Sequence, residues 1–341
     1  MKYRIIKPEI PVIWLDTYAI NEIASALLRP PEKRTSRDHY ALGVYEQLLN
    51  LVKQKKALCF ESDQLSEIKA VPGLLDKVRE VLTRLSNGVR TSYLNVEQEQ
   101  VANGIRHFIQ NDSDEPVLDW QAVFPCDPFK AGPVGGFITR VKSLSQGLED
   151  GQREERKAFA DVLEKLRTER VAAAAAGISE KLRRERQLER ELGVYQAIYR
   201  DEVARWLSQP FGVQAHDEET FLRLLNSISR PLILWKHYGG EEDALRGLYN
   251  FYGSEHYKTL PYISISSEMW AHLLVAGQAI RPSDVMDVRH ISTFLPYCHV
   301  MVIDGSMIEL VKTKLGLGDR YRTELVKFSG LRDLLKEIEV N

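Results

Sequence analysis

The sequence predicts an α/β fold in which a parallel sheet flanked by helices carries a large, mostly helical insertion. Short apolar runs alternate with amphipathic helical patterns near both ends of the 341-residue chain, and strands joined through helices pair in parallel. The central region shows helical periodicity with few strand signals. We expect residues 1–94 and 259–341 to form one α/β domain and residues 95–258 to form the insertion.

The composition is that of a globular protein with a substantial core, because 44% of the residues are hydrophobic and 28% are charged. The net charge of −2 excludes a global basic field that would attract nucleic acid or a membrane surface. The three cysteines include no CxxC pair, which argues against a cysteine zinc site and a disulfide framework. The first residues hold no long apolar stretch, so we expect no secretory leader, and no apolar run approaches roughly 18 residues. The expectation is a cytoplasmic protein without membrane contact.

The first ninety residues contain two apolar strand patterns and several helical patterns. The predicted strands are Pro11–Leu15 and Ala57–Phe60. The predicted helices cover residues 20–28, 40–53 and 74–85, with one more after Ser62 as its N-cap. This order of strand, helices, strand and helix is typical of the start of a parallel α/β sheet.

The last eighty residues return to the same alternation. The predicted strands are Pro261–Ile265, the apolar run ending at Asp304, and a weaker strand within residues 323–329. One predicted helix follows Pro282 with Ser283 as its cap, and a last helix follows Gly330. The two ends of the chain therefore supply the predicted sheet.

The central region is dense in alternating charge, above all in residues 152–190. The pattern predicts one long helix or a helical pair with charged exposed faces. The basic stretch at residues 181–190 is a candidate for guiding RNA, but its interleaved acids favour a solvated or coiled-coil-like face. A surface for a protein partner or a homodimer is the more plausible use of the insertion.

Four carboxylates stand out by their positions. Asp16 closes the first strand, Glu67 lies in the helix after the second strand, Asp287 begins a helix, and Asp304 closes an apolar strand. Ligands of open parallel sheets bind beyond the carboxyl ends of the strands, where we expect these acids to converge. Clustered carboxylates repel one another unless a cation lies among them. The sequence therefore predicts a site for Mg²⁺ or Mn²⁺, which prefer oxygen ligands.

Each acid also has a purely structural interpretation. Asp16 and Asp287 are placed to favour a helix N-terminus, and Asp284 competes with Asp287 for that role. Glu67 lies among other acids as a solvated helix residue would, and Asp304 precedes Gly305 as a turn residue would. The ordered set is more informative than any one member.

Three segments resemble PIN domains. The run VIWLDT is similar to their first strand, SDQLSEI to their second acidic helix, and the stretch from Ser283 to Met307 to a PIN-like subgroup with an Asp, an Arg-His pair and LPYC before a last Asp. The resemblance covers residues 10–90 and 260–340, about half of the chain. It implies a metal-dependent nuclease that cleaves RNA, as toxins, antiviral defence effectors and RNA-processing enzymes do.

By this resemblance, Asp16, Glu67, Asp287 and Asp304 are the catalytic metal ligands, and Thr17 helps to orient a metal-bound water. Two positions depart from the family pattern. Tyr18 stands where Asn is common, and His299 stands where Asp often follows LPYC.

Three alternatives remain open at this stage. The same site would cleave DNA as well, because metal-bound carboxylates do not distinguish the sugar. An inactive PIN-like scaffold would use the insertion for protein–protein contacts, in keeping with Tyr18 and His299. A helical regulatory protein would use the acids as ordinary caps.

Overall fold

The computed structural model describes residues 3–62, 64–65, 73–110, 115–124, 157–158, 160–168, 177–208, 228–240, 243–276 and 279–340. The chain divides into two compact units, each described below for these residues only. The sheet unit consists of Ile6–Tyr93, Asp119–Ala160 and Phe294–Asn341. The helical unit consists of Met1–Ile5, Leu94–Leu118 and Asp161–Thr293.

The elements follow in chain order. They are β1 (Arg4–Ile6), β2 (Val12–Leu15), α1 (Thr17–Leu28), α2 (Ser36–Lys53), β3 (Leu58–Cys59), α3 (Leu74–Ser86), α4 (Tyr93–Gln110), β4 (Val117–Asp119), α5 (Trp120–Val123), α6 (Glu180–Ser208), α7 (Arg230–His237), α8 (Ala244–Tyr252), α9 (Glu255–Lys258), α10 (Pro261–Leu273), α11 (Pro282–Phe294), β5 (Val300–Val302), α12 (Gly305–Ile308), α13 (Leu317–Tyr321), β6 (Glu324–Val326) and α14 (Leu331–Val340).

The sheet unit is built on a four-stranded, fully parallel sheet with the order β3-β2-β5-β6. In the registers, Ile13 lies opposite Cys59 on one side and Val300 on the other. All four residues of β2 are buried, as expected for a central strand covered on both faces. The α/β class with a parallel sheet and flanking helices is therefore confirmed.

Side chains alternate between the two faces of this sheet. Ile13 and Leu15 pack in a core with residues of α1, α2, α3 and α14. On the other face, Trp14 stacks on Phe294 with ring centroids 6.1 Å apart, and Phe60 meets Phe124 edge-on at 5.1 Å. Both faces are thus covered, which leaves the strand ends as the places where polar side chains can gather.

A reciprocal capping box begins α2. The Asp38 amide donates to Thr35 Oγ1 at 3.3 Å, and the Thr35 amide donates to Asp38 Oδ2 at 2.6 Å. Arg29 adds an ion pair to the same carboxylate at 2.5 Å. The hydrogen bonds from Thr35, followed by Arg29, lower the pKa of Asp38 to about 2. The Asp38 carboxylate therefore stabilises the N-terminus of α2.

The helical unit packs α4, α6, α7, α8, α9 and α10 around an aromatic core. Tyr199 stacks on Tyr252 with ring centroids 4.9 Å apart, and Tyr257 meets Tyr252 edge-on at 5.0 Å. The buried Gln100 accepts a hydrogen bond from the Tyr262 amide at 3.0 Å, which ties α4 to the start of α10. Among the described helices, none has the length and apolar character needed to cross a membrane.

Two local predictions at the C-terminal side were wrong. Residues 261–265, expected as a strand, begin helix α10, and Pro261 occupies its first turn. The segment resembles a strand because it is short, mostly apolar and contains two isoleucines, yet Ile263 and Ser266 are both buried and the helix is covered on most sides. Ser283 lies inside α11 and not at its cap: the Arg281 amide donates to Asp284 Oδ2 at 2.7 Å instead.

The remaining element predictions vary in outcome. The strands at residues 12–15, 58–59, 300–302 and 324–326 and the helices at 17–28, 36–53, 74–86 and 331–340 are confirmed. The charged region 152–190 is helical at residues 160–168 and from Glu180 onward. Residues 152–156, 159 and 169–176 of that prediction, and 66–72 of the helix expected after Ser62, lie outside the described residues.

Candidate functional site

Asp16 lies at the carboxyl end of the central strand β2. It is the N-terminal boundary residue of α1, and its extended backbone (φ −62°, ψ 154°) turns the chain from strand to helix. The Asp16 amide donates to the Val302 carbonyl at 3.0 Å, which fixes this strand end to β5. Only 9% of Asp16 is exposed. A carboxyl group in this position is held in place by the backbone of the sheet.

Asp304 lies at the carboxyl end of the neighbouring strand β5. Its Oδ1 accepts three hydrogen bonds, from the Ser306 amide at 2.7 Å, Ser306 Oγ at 2.6 Å and the Met307 amide at 2.9 Å. These donors belong to the first turn of α12, so Asp304 caps this short helix. The orientation of the carboxylate is fixed through one of its two oxygens.

The structure brings Asp16 and Asp304 together. Leu15 lies opposite Val302 in the sheet, so the two acids follow adjacent strands at the same edge. Burial, with a smaller contribution from the negative charge of Asp304, raises the pKa of Asp16 to about 6. The amides of Thr17 and Tyr18 partly oppose this shift, although the Asp16 side chain makes no capping hydrogen bond. Ionised Asp16 is therefore poorly compensated within the sheet unit.

Thr17, the residue after Asp16, carries a further candidate oxygen. Its side chain is buried, and Oγ1 has no hydrogen-bond partner within the described part of the chain. A buried hydroxyl without a partner is costly and uncommon. Two carboxylates and an unsatisfied hydroxyl form a set of hard oxygen donors, which fits a divalent cation such as Mg²⁺ or Mn²⁺ that keeps part of its water shell.

The other two predicted ligands, Glu67 and Asp287, stay predictions. Glu67 lies outside the described residues. Asp287 lies on α11 in the helical unit and is half-buried there. Across the described ranges, no group of three or more His, Cys, Asp or Glu side chains is arranged to hold a metal ion.

A network of polar side chains supports the end of β2 from the side of β3. Gln64 is fully buried and donates from Nε2 to the Leu15 carbonyl at 3.2 Å. Its Oε1 accepts from the Ser62 amide at 2.6 Å and from Ser62 Oγ at 2.8 Å, while Trp14 donates to Ser62 Oγ at 3.1 Å. The network positions the residue just before Asp16. The sequence analysis missed Gln64, because a lone Gln in a polar segment carries no signal of burial.

Glu61 follows β3 at the same edge but has its own partner. Arg90 donates from Nε to Glu61 Oε2 at 2.9 Å, and the backbone of residues 89–91 pairs with that of Glu61. Burial raises the pKa of this carboxyl, and the Arg90 charge opposes the shift. The ion pair neutralises Glu61, so this acid serves the structure.

Lys327 is a basic residue that the sequence analysis missed. It follows β6 at the carboxyl edge, and its side chain lies over Gly305, immediately after Asp304. A Cβ on Gly305 would lie 2.7 Å from Lys327 Cε and 3.1 Å from Nζ. The Lys327 side chain therefore lies close to Gly305 and brings an exposed ammonium group near the residue that follows Asp304.

Tyr18 and His299, the two departures from the PIN pattern, lie at different places. Tyr18 is 47% exposed, two residues after Asp16, and its hydroxyl accepts a hydrogen bond from Arg37. His299 lies at the amino end of β5, where its Nδ1 accepts from the Val12 amide at 3.0 Å. Burial, followed by the charge of Lys7, lowers the pKa of His299 to about 4. His299 thus caps a strand at the edge opposite to Asp304 and supplies no ligand there.

Comparisons do not add a family assignment to this geometry. The chain matches no protein-family model, no curated protein and no solved structure. What this edge of the sheet does must be argued from its own side chains.

Proposed function

We propose that the sheet unit is a PIN-like nuclease domain that hydrolyses RNA phosphodiester bonds with the help of Mg²⁺ or Mn²⁺. The observation that carries the proposal is the meeting of Asp16 and Asp304 at the carboxyl ends of two adjacent central strands. Burial and the neighbouring Asp304 raise the pKa of Asp16 to about 6. Acids spread evenly over a protein surface would not produce a shift of this size.

In this proposal Asp16 and Asp304 hold the cation, and Thr17 Oγ1 orients water in its shell. The cation, when bound, activates water and stabilises the charge that develops on the phosphate oxygens. Glu67 and Asp287 stay predictions as further ligands. Both are tested by the same kind of substitution as Asp16 and Asp304, in which the carboxylate is replaced by the corresponding amide.

The chain's own residues supply the contacts to the nucleic acid. The Lys327 ammonium group is placed to bind a phosphate oxygen beside Asp304. The exposed Tyr18 ring offers a surface on which a base can stack, and the Arg37 guanidinium lies 5.9 Å from the centre of that ring. A base must be unpaired to stack in this way, so the proposed substrate is single-stranded.

RNA is the proposed substrate because PIN domains, which the sequence resembles, commonly cleave single-stranded RNA. The acid pair itself does not distinguish ribose from deoxyribose. Cleavage of single-stranded RNA, single-stranded DNA and duplex RNA should be compared at equal Mn²⁺ concentration. Faster cleavage of DNA would support the same chemistry with DNA as the substrate.

Asp16→Asn and Asp304→Asn test the proposed metal site. Each change removes a ligand charge while keeping the shape, and loss of activity should reach at least about 100-fold, the upper range for removing a supporting partner of a metal ligand. Asp76→Asn is the matched control, since this acid is exposed and lies in the same unit. Calorimetric titration with Mn²⁺ should show weaker binding for the first two variants only.

The proton on Asp16 gives a second, independent readout. Mn²⁺ must displace that proton, so affinity should fall as the pH drops below about 6 in the wild type. If neither asparagine variant changes Mn²⁺ binding or cleavage, the nuclease proposal fails. A scaffold without catalytic activity would then be the better account.

A further inference from the structure

A cavity of about 200 Å³ lies among the helices of the helical unit. Its lining comes from α4, α6, α7, α8, α10 and α11, and all of these residues belong to that unit. Pockets for drug-sized ligands usually measure about 300–1,000 Å³, so this cavity suits a smaller molecule.

The lining from α4 occupies one face of that helix. Leu94, Glu97, Gln98 and Val101 follow the spacing of three and four residues that aligns side chains along a helix. Within this face, two apolar residues flank two polar ones. A ligand in the cavity would meet apolar walls and a narrow polar strip.

Three tyrosines form the aromatic part of the cavity. Tyr252 and Tyr262 are almost completely buried, and burial raises the pKa of both hydroxyls well above the ordinary value. Their hydroxyls therefore remain protonated and uncharged at any physiological pH. Tyr199, stacked on Tyr252, completes a wall that favours a flat, aromatic ligand.

The charged groups of the lining already have counterparts. Arg230 donates to Gln98 and forms an ion pair with Glu99 at 2.7 Å. Arg289 lies 3.8 Å from Glu97. An anionic ligand would have to compete with these carboxylates. An uncharged ligand with both donors and acceptors would instead pair with the polar groups while leaving the ion pairs intact.

We propose that the helical unit binds an uncharged, planar heteroaromatic molecule of the size of a nucleobase or nucleoside. The tyrosines contact its ring, and the strip of Glu97, Gln98 and Arg230 pairs with its polar edge. This proposal does not rest on the acid pair of the sheet unit, since every contact it uses lies within the helical unit.

The test is a binding panel on the full chain with EDTA present, so that metal at any acidic site plays no part. Adenine, adenosine, cytosine, guanosine, uridine and adenosine monophosphate are titrated by calorimetry and by thermal denaturation. We expect at least one uncharged compound to bind and to raise Tm by roughly 2 °C or more near 100-fold excess over Kd. Adenosine monophosphate, which differs from adenosine only by its phosphate, should bind at least tenfold more weakly than adenosine.

A pair of tryptophan variants locates the binding. Val101→Trp places an indole into the cavity and should abolish binding, whereas Ile233→Trp, at an exposed position of α7 outside the lining, should leave it unchanged. Gln98→Leu, which keeps the Arg230–Glu99 ion pair, gives a second check if Val101→Trp unfolds, and should lower affinity about tenfold. The proposal is overturned if no uncharged compound binds, if the monophosphate binds as tightly, or if the cavity variants retain full affinity.

Discussion

The two units place their buried polar groups in different ways. In the sheet unit, the backbone of two adjacent strands sets the position of the two acids, because Asp16 follows directly after β2 and Asp304 lies two residues after the end of β5. In the helical unit, a side chain of one helix meets a group of another helix distant in sequence, as when Gln100 of α4 accepts from the backbone amide of Tyr262 in α10. Parallel strands thus bring polar groups together at one edge of the sheet, whereas packed helices enclose their polar groups.

This difference has a consequence for how each unit responds to substitution. The sheet edge is defined by backbone hydrogen bonds, so exchange of one polar side chain should change charge and chemistry with little effect on position. The helical unit depends on close packing, so a small increase in side-chain volume should disturb it. The following predictions test that contrast from the largest effect to the smallest.

The largest effect is expected for the core of the sheet unit. Leu48 of α2 is fully buried in the core against the sheet, and Leu48→Ala should lower the free energy of unfolding by about 2–5 kcal/mol. Urea denaturation followed by circular dichroism measures the change. Leu28→Ala, at a position 45% exposed, is the control and should change stability by less than about 0.5 kcal/mol. Equal losses for both variants would contradict the assigned core.

Asp16→Asn should stabilise the metal-free protein at neutral pH. The pKa of Asp16 is about 6 in the folded protein against an ordinary value of 3.8, so the folded state holds the proton more tightly. Stability of the wild type therefore falls as the pH rises from about 4 to 6, and the variant should avoid this loss of about 2–3 kcal/mol. Urea denaturation at pH 4 and pH 7.5 in EDTA measures the gain.

Asp76→Asn serves as the reference for this comparison, because its exposed side chain should give no such pH-dependent gain. Addition of Mn²⁺ should stabilise the wild type more than Asp16→Asn. A wild type whose stability does not decline between pH 4 and 6 would contradict the burial and charge effects assigned to Asp16.

Gly247→Ala tests the packing of the helical unit. A Cβ at this position of α8 would overlap the buried Trp235 ring, so the substitution should cost about 1–3 kcal/mol. Gly193→Ala on α6 is the matched control, since a Cβ there meets no described atom within 4 Å. That exposed change should stabilise by about 0.5–1 kcal/mol. Thermal denaturation of both proteins distinguishes tight packing from helix propensity.

The smallest effect is expected at the capping box of α2. Thr35→Ala removes the acceptor of the Asp38 amide and should cost about 1 kcal/mol, whereas Thr35→Ser keeps the hydroxyl and should cost little. Because the pKa of Asp38 is lowered to about 2, its stabilising effect should be lost as the pH falls from about 4 to 2. Urea denaturation at pH 7 and pH 3 measures both effects.

Much of the sheet unit could be predicted from local patterns. The runs around Val12–Leu15 and Val300–Val302 are short, apolar and closed by an acid, and these features alone place Asp16 and Asp304 at strand ends. Their adjacency needed the strand order as well, since β2 and β5 lie far apart in sequence. The pairing of strands that are distant in sequence cannot be inferred from local periodicity.

Other features could not be read locally. Residues 261–265 form a short, mostly apolar run such as a buried strand has, but the helix α10 that they begin is buried on most sides and therefore shows no amphipathic pattern. The sequence around Lys327 does not distinguish it from an ordinary exposed lysine. Its side chain lies over Gly305 only because of where β6 lies in the sheet. His299 was ambiguous until the structure put it at the amino end of β5, away from the acid pair.

By itself, the sequence determined the α/β class, the strands that bear Asp16 and Asp304, and the helical character of much of the centre, because these depend on side-chain period and on residues next to one another in the chain. The tertiary structure alone decided that these two acids meet, that Gln64 supports the end of β2, and that tyrosines from α6, α8 and α10 line one cavity. Such contacts join residues distant in sequence, and their free energy arises only when the chain has folded.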